Sequence, residues 1–111
     1  AMDSYLDKKE LVLVMTAEAD FEKAQYLADN LLLDNLVSCI GLQKINSHYF
    51  WDGKLQRNDE VQLLIKTNQS SLNKVLKLIK KKHSYELPEL LFWSVSSSKA
   101  YGEWTNSVIK E

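Results

Sequence analysis

The 111-residue chain has few of the residues on which several kinds of protein depend. It holds one cysteine, which excludes an intramolecular disulfide framework and every zinc motif built on paired cysteines. Fourteen basic and fifteen acidic residues give a formal charge of -1, so the strongly basic footprint typical of nucleic-acid binding is missing. No apolar run approaches the roughly 20 residues that span a bilayer, and no charged-then-apolar leader is present. We therefore expect a cytoplasmic protein that binds neither nucleic acid nor membrane.

Length and composition predict a single folded domain. A chain of 111 residues fits one hydrophobic core rather than two. With 45% hydrophobic and 26% charged residues, it has the composition of an ordinary globular protein rather than a disordered or fibrous one. We expect one domain over residues 1–111, in which residues 1–8 form a flexible N-terminal segment.

Hydrophobic periodicity predicts seven elements along the chain. They are a buried strand at 10–16, a helix at 21–32, strands at 36–51 and 54–67, a helix at 71–82, a strand at 90–95 and a short helix after residue 98. Asp20 is placed to cap the first helix, and Asp34-Asn35 is placed to end it. The order predicts the α+β class, as a ferredoxin-like split βαβ sandwich (βαββαβ) with a C-terminal helix.

The hairpin between the second and third strands is too long for a compact chain of this size. Asp52-Gly53 between two strand-like runs is a strong hairpin signal, because both turn residues tolerate positive φ. Arms of about 14 residues span roughly 45 Å, whereas a compact chain of this length has a diameter of roughly 35 Å. Part of the hairpin must therefore bend sharply or project.

The hairpin tip carries several large apolar side chains, which are expected to be buried against another surface. Tyr49, Phe50 and Trp51 lie beside Leu55, and an isolated two-stranded hairpin is marginally stable in water. We expect these three aromatic residues to mediate oligomerisation by lying against a neighbouring subunit. The alternative is a bulged hairpin that curls over its own sheet.

Several segments taken together resemble the CutA family of divalent-cation-tolerance proteins. In chain order they are LVLVMTAEADFEKAQYLADNLL, LVSCIGLQKINSHYFWDGKL, EVQLLIKT, HSYELPELL and YGEW. The resemblance implies a ferredoxin-like domain, similar to the PII signalling proteins, that forms a homotrimer with each hairpin wrapped around a neighbour. It also implies a role in tolerance of copper and other divalent metals, and no enzymatic activity.

The resemblance implies a metal site at three positions. Bacterial relatives have a proposed copper site made of a cysteine at the end of the first strand, a histidine and a glutamate, which correspond here to Met15, His83 and Glu89. Copper or another divalent transition metal is the implied ligand. The thioether of Met15 can bind Cu(I) but supplies no thiolate charge for Cu(II) or Zn(II). The alternative is that Met15 belongs to the core and that His83 and Glu89 brace a subunit interface.

A second group of residues is a candidate for an inter-subunit cleft. PII-like trimers bind small molecules between subunits, and the residues that could line such a cleft here are Glu60, Lys66, Tyr85, Tyr101 and Trp104. Glu60 and Lys66 share a strand face, on which they can pair across strands or reach a cavity. Aromatic residues at helical spacing also serve simply as packing.

Three further features each have a structural and a functional interpretation. Cys39 is expected to be a small buried residue, although a reactive thiol would make the chain a small enzyme. His48 is expected at the surface or in an interface. The lysines from Lys74 to Lys82 form a solvated face or a face for a protein partner. The alternative to metal tolerance is therefore a trimeric scaffold or PII-like signalling module.

Overall fold

The computed structural model describes the backbone of residues 5–110 and the side chains of residues 10–110. Its elements are β1 (Tyr5–Glu18), α1 (Phe21–Leu33), β2 (Cys39–Trp51), β3 (Lys54–Asn68), α2 (Leu72–Lys82), β4 (Leu91–Ser98) and α3 (Lys99–Val108). The four strands form one sheet in the order β2-β3-β1-β4, and every neighbouring pair is antiparallel. The predicted ferredoxin-like α+β fold with a C-terminal helix is confirmed.

Strand β1 begins earlier than the sequence pattern indicates. Tyr5 and Leu6 pair with Ser98 and Ser97 of β4, and a register shift separates this short stretch from the main ladder that starts at Leu11. The segment predicted to be flexible, residues 1–8, thus overlaps the start of β1, and residues 1–4 lie outside the described residues.

The hydrophobic core lies between one face of the sheet and helices α1 and α2. Alternate residues of β1 and β3 point to this inner face, because side chains along a strand alternate between the two faces. Val14 pairs with Ile65 in the register, and both are completely buried. The core continues through a set of buried residues on the two helices: Ala24, Leu27, Ala28, Leu31, Val75 and Ile79. No helix in residues 5–110 is both long enough and apolar enough to cross a membrane.

Helix α1 begins and ends at the predicted signals. The Asp20 side chain accepts a hydrogen bond from the Lys23 N–H, and Asn35 adopts a positive φ of 58° beyond α1. Phe21, however, is exposed, with the Lys44 ammonium 5.5 Å from its ring centroid. The buried residues of α3 are Gly102 and Thr105, so this helix meets the sheet through small residues.

Strands β2 and β3 extend past the rest of the sheet as a two-stranded ribbon. Strand β1 pairs with β3 only from Val61 to Asn68, so residues 45–51 and 54–60 pair with each other alone among the described residues. The molecule measures 50 × 27 × 21 Å, longer than a compact chain of this length. The hairpin projects and does not curl over its own sheet, so the alternative of a bulged hairpin is wrong. Contact of its tip with a neighbouring subunit stays a prediction.

The ribbon tip and the outer face of the sheet leave large apolar side chains in water. Phe50 is 75% exposed and Trp51 58% exposed at the tip. On the outer face, α3 packs against one end of the sheet, where Asn68 donates to Asn106. Beyond α3, Leu91 and Trp93 of β4 remain 54% and 42% exposed. A large apolar surface with a polar rim is typical of a protein–protein contact.

Candidate functional site

The most closely connected polar cluster surrounds His83, the residue that follows α2. Its ring Nε2 lies 2.8 Å from the carbonyl oxygen of Ala17 and 3.1 Å from Thr16 Oγ1. A carbonyl only accepts, so Nε2 carries a hydrogen, and Nδ1 accepts from the Tyr85 backbone N–H at 3.0 Å. The Thr16 hydroxyl in turn donates to the backbone carbonyl of Glu89 at 2.6 Å. The buried imidazole therefore joins the end of β1 to the loop before β4.

A buried carboxylate, Glu18, lies beside this imidazole. It is 1% exposed, and its Oε2 lies 3.5 Å from His83 Nδ1. The carboxylate accepts from the Ala19 N–H at 3.2 Å, from the Ser84 N–H at 2.9 Å and from the Ser84 hydroxyl. Such a carboxylate needs several donors, because removing a charge from water is costly unless hydrogen bonds replace the solvent.

Tyr85 extends the cluster toward the ribbon. Its hydroxyl donates to Glu60 Oε2 at 2.6 Å, at the point where β3 leaves the sheet. Burial, followed by this hydrogen bond, raises the pKa of Tyr85 well above the usual value for a phenol, because both effects favour the neutral phenol over the phenolate. The loop after α2 is thus tied to β1 by His83 and to the base of the ribbon by Tyr85.

The three residues predicted to bind a metal do not meet within one chain. Met15 pairs with Leu64 and Leu91, so it points to the outer face of the sheet, whereas Thr16 and its partner His83 lie on the inner side. The Glu89 side chain is exposed. Both nitrogens of His83 are hydrogen bonded to protein atoms, which leaves no lone pair for an ion.

Within one chain, Met15, His83 and Glu89 are not arranged to bind a metal ion. Across residues 10–110, no group of three or more His, Cys, Asp or Glu side chains is arranged to hold one. The alternative interpretation of His83 as a hydrogen-bonding brace agrees with the geometry, although the brace lies within the chain.

The five residues predicted to line a cleft separate into two groups. Glu60 and Tyr85 form the hydrogen bond described above. The Lys66 ammonium lies 5.6 Å from the centroid of the Tyr101 ring, which is itself 5.6 Å from Trp104. Six residues along β3 separate Glu60 from Lys66, a distance of roughly 20 Å. A single cleft within one chain cannot contain both groups.

Sequence reasoning missed Thr16 and Glu18, which are the partners of His83. A signal was available: in LVLVMTAE these two residues continue the alternation of Val12 and Val14, so they occupy core-facing positions with polar side chains. A polar residue at a core-facing position needs a partner, which His83 supplies to Thr16 and Ser84 supplies to Glu18.

The remaining candidates lie apart from this cluster. Cys39 opens β2 as a half-buried residue beside Lys66, rather than a fully buried one in mid-strand. His48, Phe50 and Trp51 are exposed on the ribbon.

A four-stranded antiparallel sheet, two helices on its inner face and a β2–β3 ribbon longer than the sheet define a ferredoxin-like α+β protein with a projecting arm. The comparisons with known proteins identify its family. The profile of the CutA1 divalent ion tolerance protein matches residues 12–108, and the chain belongs to this family.

Individual relatives agree with this assignment. The chain is 37% identical over 101 residues to the divalent-cation tolerance protein CutA of Pectobacterium atrosepticum, covering 89% of this chain and 92% of that protein. Its structure is similar to that of CutA from Synechococcus elongatus, with a TM-score of 0.92, 30% identity and 98% coverage of both chains. CutA1 from Oryza sativa is also similar, with a TM-score of 0.87 and 28% identity over 92% of this chain and 95% of that one.

Proposed function

We propose that this protein is a homotrimer that takes part in tolerance of divalent metal ions without catalysing a reaction. In this proposal, copper or another divalent transition metal, or a small ligand, binds in clefts between subunits. The relatives named above are divalent-cation tolerance proteins, which supports the role in metal tolerance.

The proposed assembly rests on one observation, which is that the projecting ribbon ends in exposed aromatic rings. The tip leaves Phe50 and Trp51 largely in water, and the ribbon has no third strand within the described chain. Burying such rings against a second copy removes apolar area from water at about 25 cal/mol per Å². The exposed Leu91 and Trp93 on the outer sheet face supply a second surface for the same contact.

Assembly could also bring the two separate groups of cleft residues together. The Glu60–Tyr85 pair and the Lys66–Tyr101–Trp104 group are far apart in one chain, but a neighbouring copy can bring its own group against the other. The proposed ligand cleft therefore depends on the trimer.

Two measurements test this proposal. Light scattering of the purified protein should give a mass of about 38 kDa, three times the 12.8 kDa chain. Trp51→Glu should lower this mass, because a carboxylate would be placed in the buried contact, whereas Lys54→Glu at the exposed turn is the matched control. A bacterial strain without its own CutA gene should regain growth in elevated copper with the wild-type gene and not with the Trp51→Glu gene. A monomeric wild-type protein, or no rescue, would contradict the proposal.

A second candidate function is a trimeric scaffold, or PII-like signalling module, for a protein partner. Helix α2 carries lysines at positions 74, 77, 80, 81 and 82 and no acid, and no ion pair involves them in the part of the chain that the structure describes. If this face binds an acidic partner, reversing the charge of Lys74, Lys77 and Lys81 should abolish capture of that partner while leaving the mass and the copper tolerance unchanged. Chelation of metal would leave the capture unaffected.

A further inference from the structure

Helix α2 carries a row of lysines along one side. Lys74, Lys77 and Lys81 are exposed and follow one another at intervals of three and four residues, which places them on the same side of the helix. The row is about 10 Å long, because an α-helix rises about 1.5 Å per residue. No ion pair involves these lysines among the residues whose side chains the structure describes. Within that part of the chain, the row is a strip of uncompensated positive charge.

Two large apolar side chains of α1 lie next to this row. Tyr26 is 53% exposed and Leu33 is 80% exposed, and they share one side of α1 because seven residues make about two turns. The Lys82 ammonium, at the end of α2, lies 5.9 Å from the centroid of the Tyr26 ring. The two helices run in opposite directions, since the strands that they follow, β1 and β3, are antiparallel. Leu33 is therefore level with the first turn of α2, which contains Lys74.

This helical surface is separate from the contacts proposed for the trimer. Helices α1 and α2 cover the inner face of the sheet, whereas those contacts use the ribbon tip and the outer face. Helix α2 buries Val75 and Ile79 in the core and turns its lysine row to solvent. The proposed trimer contacts therefore involve neither the lysine row nor the apolar pair.

The chemistry of this surface favours one kind of partner. Glutamates on one side of a second α-helix recur at intervals of three and four residues, so they match the lysine row one for one. The exposed Leu33 has no counterpart in a phosphate backbone, whereas an amphipathic helix brings apolar side chains to it. An anionic membrane would take up an apolar helix side, and α2 already uses its apolar side in the core. An acidic amphipathic helix fits both the charge and the apolar pair.

We propose that α1 and α2 bind an acidic amphipathic helix of a partner protein. Carboxylates of the partner pair with Lys74, Lys77 and Lys81, while an adjacent apolar stripe packs against Leu33 and Tyr26. The apolar contact supplies affinity, and the lysine row sets the orientation of the partner. This inference rests on the scaffold candidate of the proposed function and names the class of its partner.

Acidic residues on α1 determine how the partner is oriented. Glu22 and Asp29 are exposed, and both lie on the side of α1 that carries Tyr26 and Leu33. Their charge repels carboxylates, so the acidic stripe of the partner lies over α2 and its apolar stripe over α1. Asp29→Asn should accordingly tighten binding.

The test uses two fluorescent synthetic helices and the assembled protein, with binding measured by fluorescence anisotropy. In the first peptide, glutamates follow the three-and-four spacing beside a stripe of leucines. The second peptide has the same composition, with its glutamates spread around the helix. We expect the first peptide to bind about tenfold more tightly at low ionic strength, because three charge pairs form together. Equal binding of the two peptides, or no binding of the first, would overturn the proposal.

Two neighbouring lysines provide a matched pair of variants. Lys81 lies about 20° from Lys74 around the helix axis, whereas Lys80 lies about 120° from it, at about 100° per residue. Lys81→Glu should weaken binding of the first peptide about tenfold and Lys80→Glu about twofold, although both change the net charge equally. Equal losses would indicate attraction by overall charge and contradict a specific row.

Leu33→Ala tests the apolar contact. It should weaken binding of the first peptide about fivefold, and an unchanged affinity would contradict the contact. Tighter binding of duplex DNA, or of phosphatidylserine vesicles, than of the first peptide would assign the surface to another polyanion and refute the proposal. If reversing all three lysines abolishes partner capture while the two peptides bind equally, the scaffold candidate stands and this inference fails. The trimer mass and the growth in copper depend on neither result.

Discussion

Individual residues of the His83 cluster hold the loop after α2 against the end of β1. The imidazole contacts Thr16 and Ala17 through Nε2, and Glu18 accepts two bonds from Ser84. Every contact is between groups 66 or 67 residues apart in sequence, so each ties distant parts of the chain together. We therefore expect substitutions of these residues to lower the free energy of unfolding.

Replacing Glu18 should therefore destabilise the fold more than replacing a nearby exposed acid. Glu18→Ala leaves the part-buried backbone N–H groups of Ala19 and Ser84 without their acceptor, and we expect a loss of about 3 kcal/mol in the free energy of unfolding. Urea unfolding at one fixed protein concentration measures it, with Glu86→Ala in the same loop, an exposed position, as the control. Equal effects of the two variants would show that the Glu18 hydrogen bonds add nothing to stability.

The Tyr85 phenol should ionise at a higher pH than a tyrosine in water. Burial and the bond to Glu60 raise the pKa of Tyr85 in the folded state, so its phenol keeps its proton as the pH passes 10. Since the unfolded chain loses that proton near pH 10, the stability from this group is present below pH 10 and declines as the pH rises further.

Absorbance at 295 nm should detect this delayed ionisation. The titration should contain a step well above the ordinary range of a phenol, and Tyr85→Phe should remove that step. Tyr26→Phe, at an exposed position, is the control and should leave the Tyr85 step in place. A late step that persists in Tyr85→Phe would contradict the assignment.

At the scale of elements, the ribbon depends on its two-residue turn. Asp52 has a φ of 55° and Gly53 a φ of 75°, and Trp51 pairs with Lys54 across them. Two positive φ values give the turn the twist that antiparallel strands require. The turn chemistry thus sets the register of the whole β2–β3 ladder.

A side chain at Gly53 should weaken the ribbon by a local backbone effect. No atom lies within 4 Å of a Cβ added at this position, so the cost comes from the left-handed conformation and not from a clash. We expect Gly53→Ala to cost about 1 kcal/mol, whereas Asp52→Asn should be nearly neutral because asparagine tolerates positive φ. Thermal unfolding of both variants distinguishes them, and equal melting temperatures would argue against strain at the turn.

At the scale of the whole molecule, the outer face of the sheet leaves apolar side chains exposed. Leu91 and Trp93 of β4 lie exposed there, opposite Met15 and Leu13 of β1 in the register. A surface of this kind is costly in a single chain, so association should contribute to the measured stability.

The melting temperature of the wild-type protein should accordingly rise with protein concentration. Association stabilises the folded state by mass action, whereas a monomer melts at a temperature independent of concentration. Trp93→Glu on the outer face should lower the melting temperature and weaken its concentration dependence. Gln25→Glu on the exposed surface of α1 serves as the control. A wild-type melting temperature that stays constant over a hundredfold dilution would contradict association through this face.

Sequence alone predicted the order of elements, the turn at Asp52-Gly53 and the projecting ribbon. These features depend on local chemistry: the period of apolar residues, the φ preferences of a few residues and the length of a strand. The family resemblance rested on the same local segments. The early start of β1 could not be predicted from local patterns, because it depends on pairing with the distant strand β4.

The arrangement of the site was decided by tertiary structure. Met15 and Thr16 are neighbours in sequence, yet the pleat of β1 sends them to opposite faces, so only Thr16 meets His83. The five cleft residues likewise divided into two groups because β3 carries Glu60 and Lys66 to different places along the sheet. Local patterns specify which residues form a strand or helix, but packing between elements determines which side chains meet, since those contacts join residues far apart in the chain.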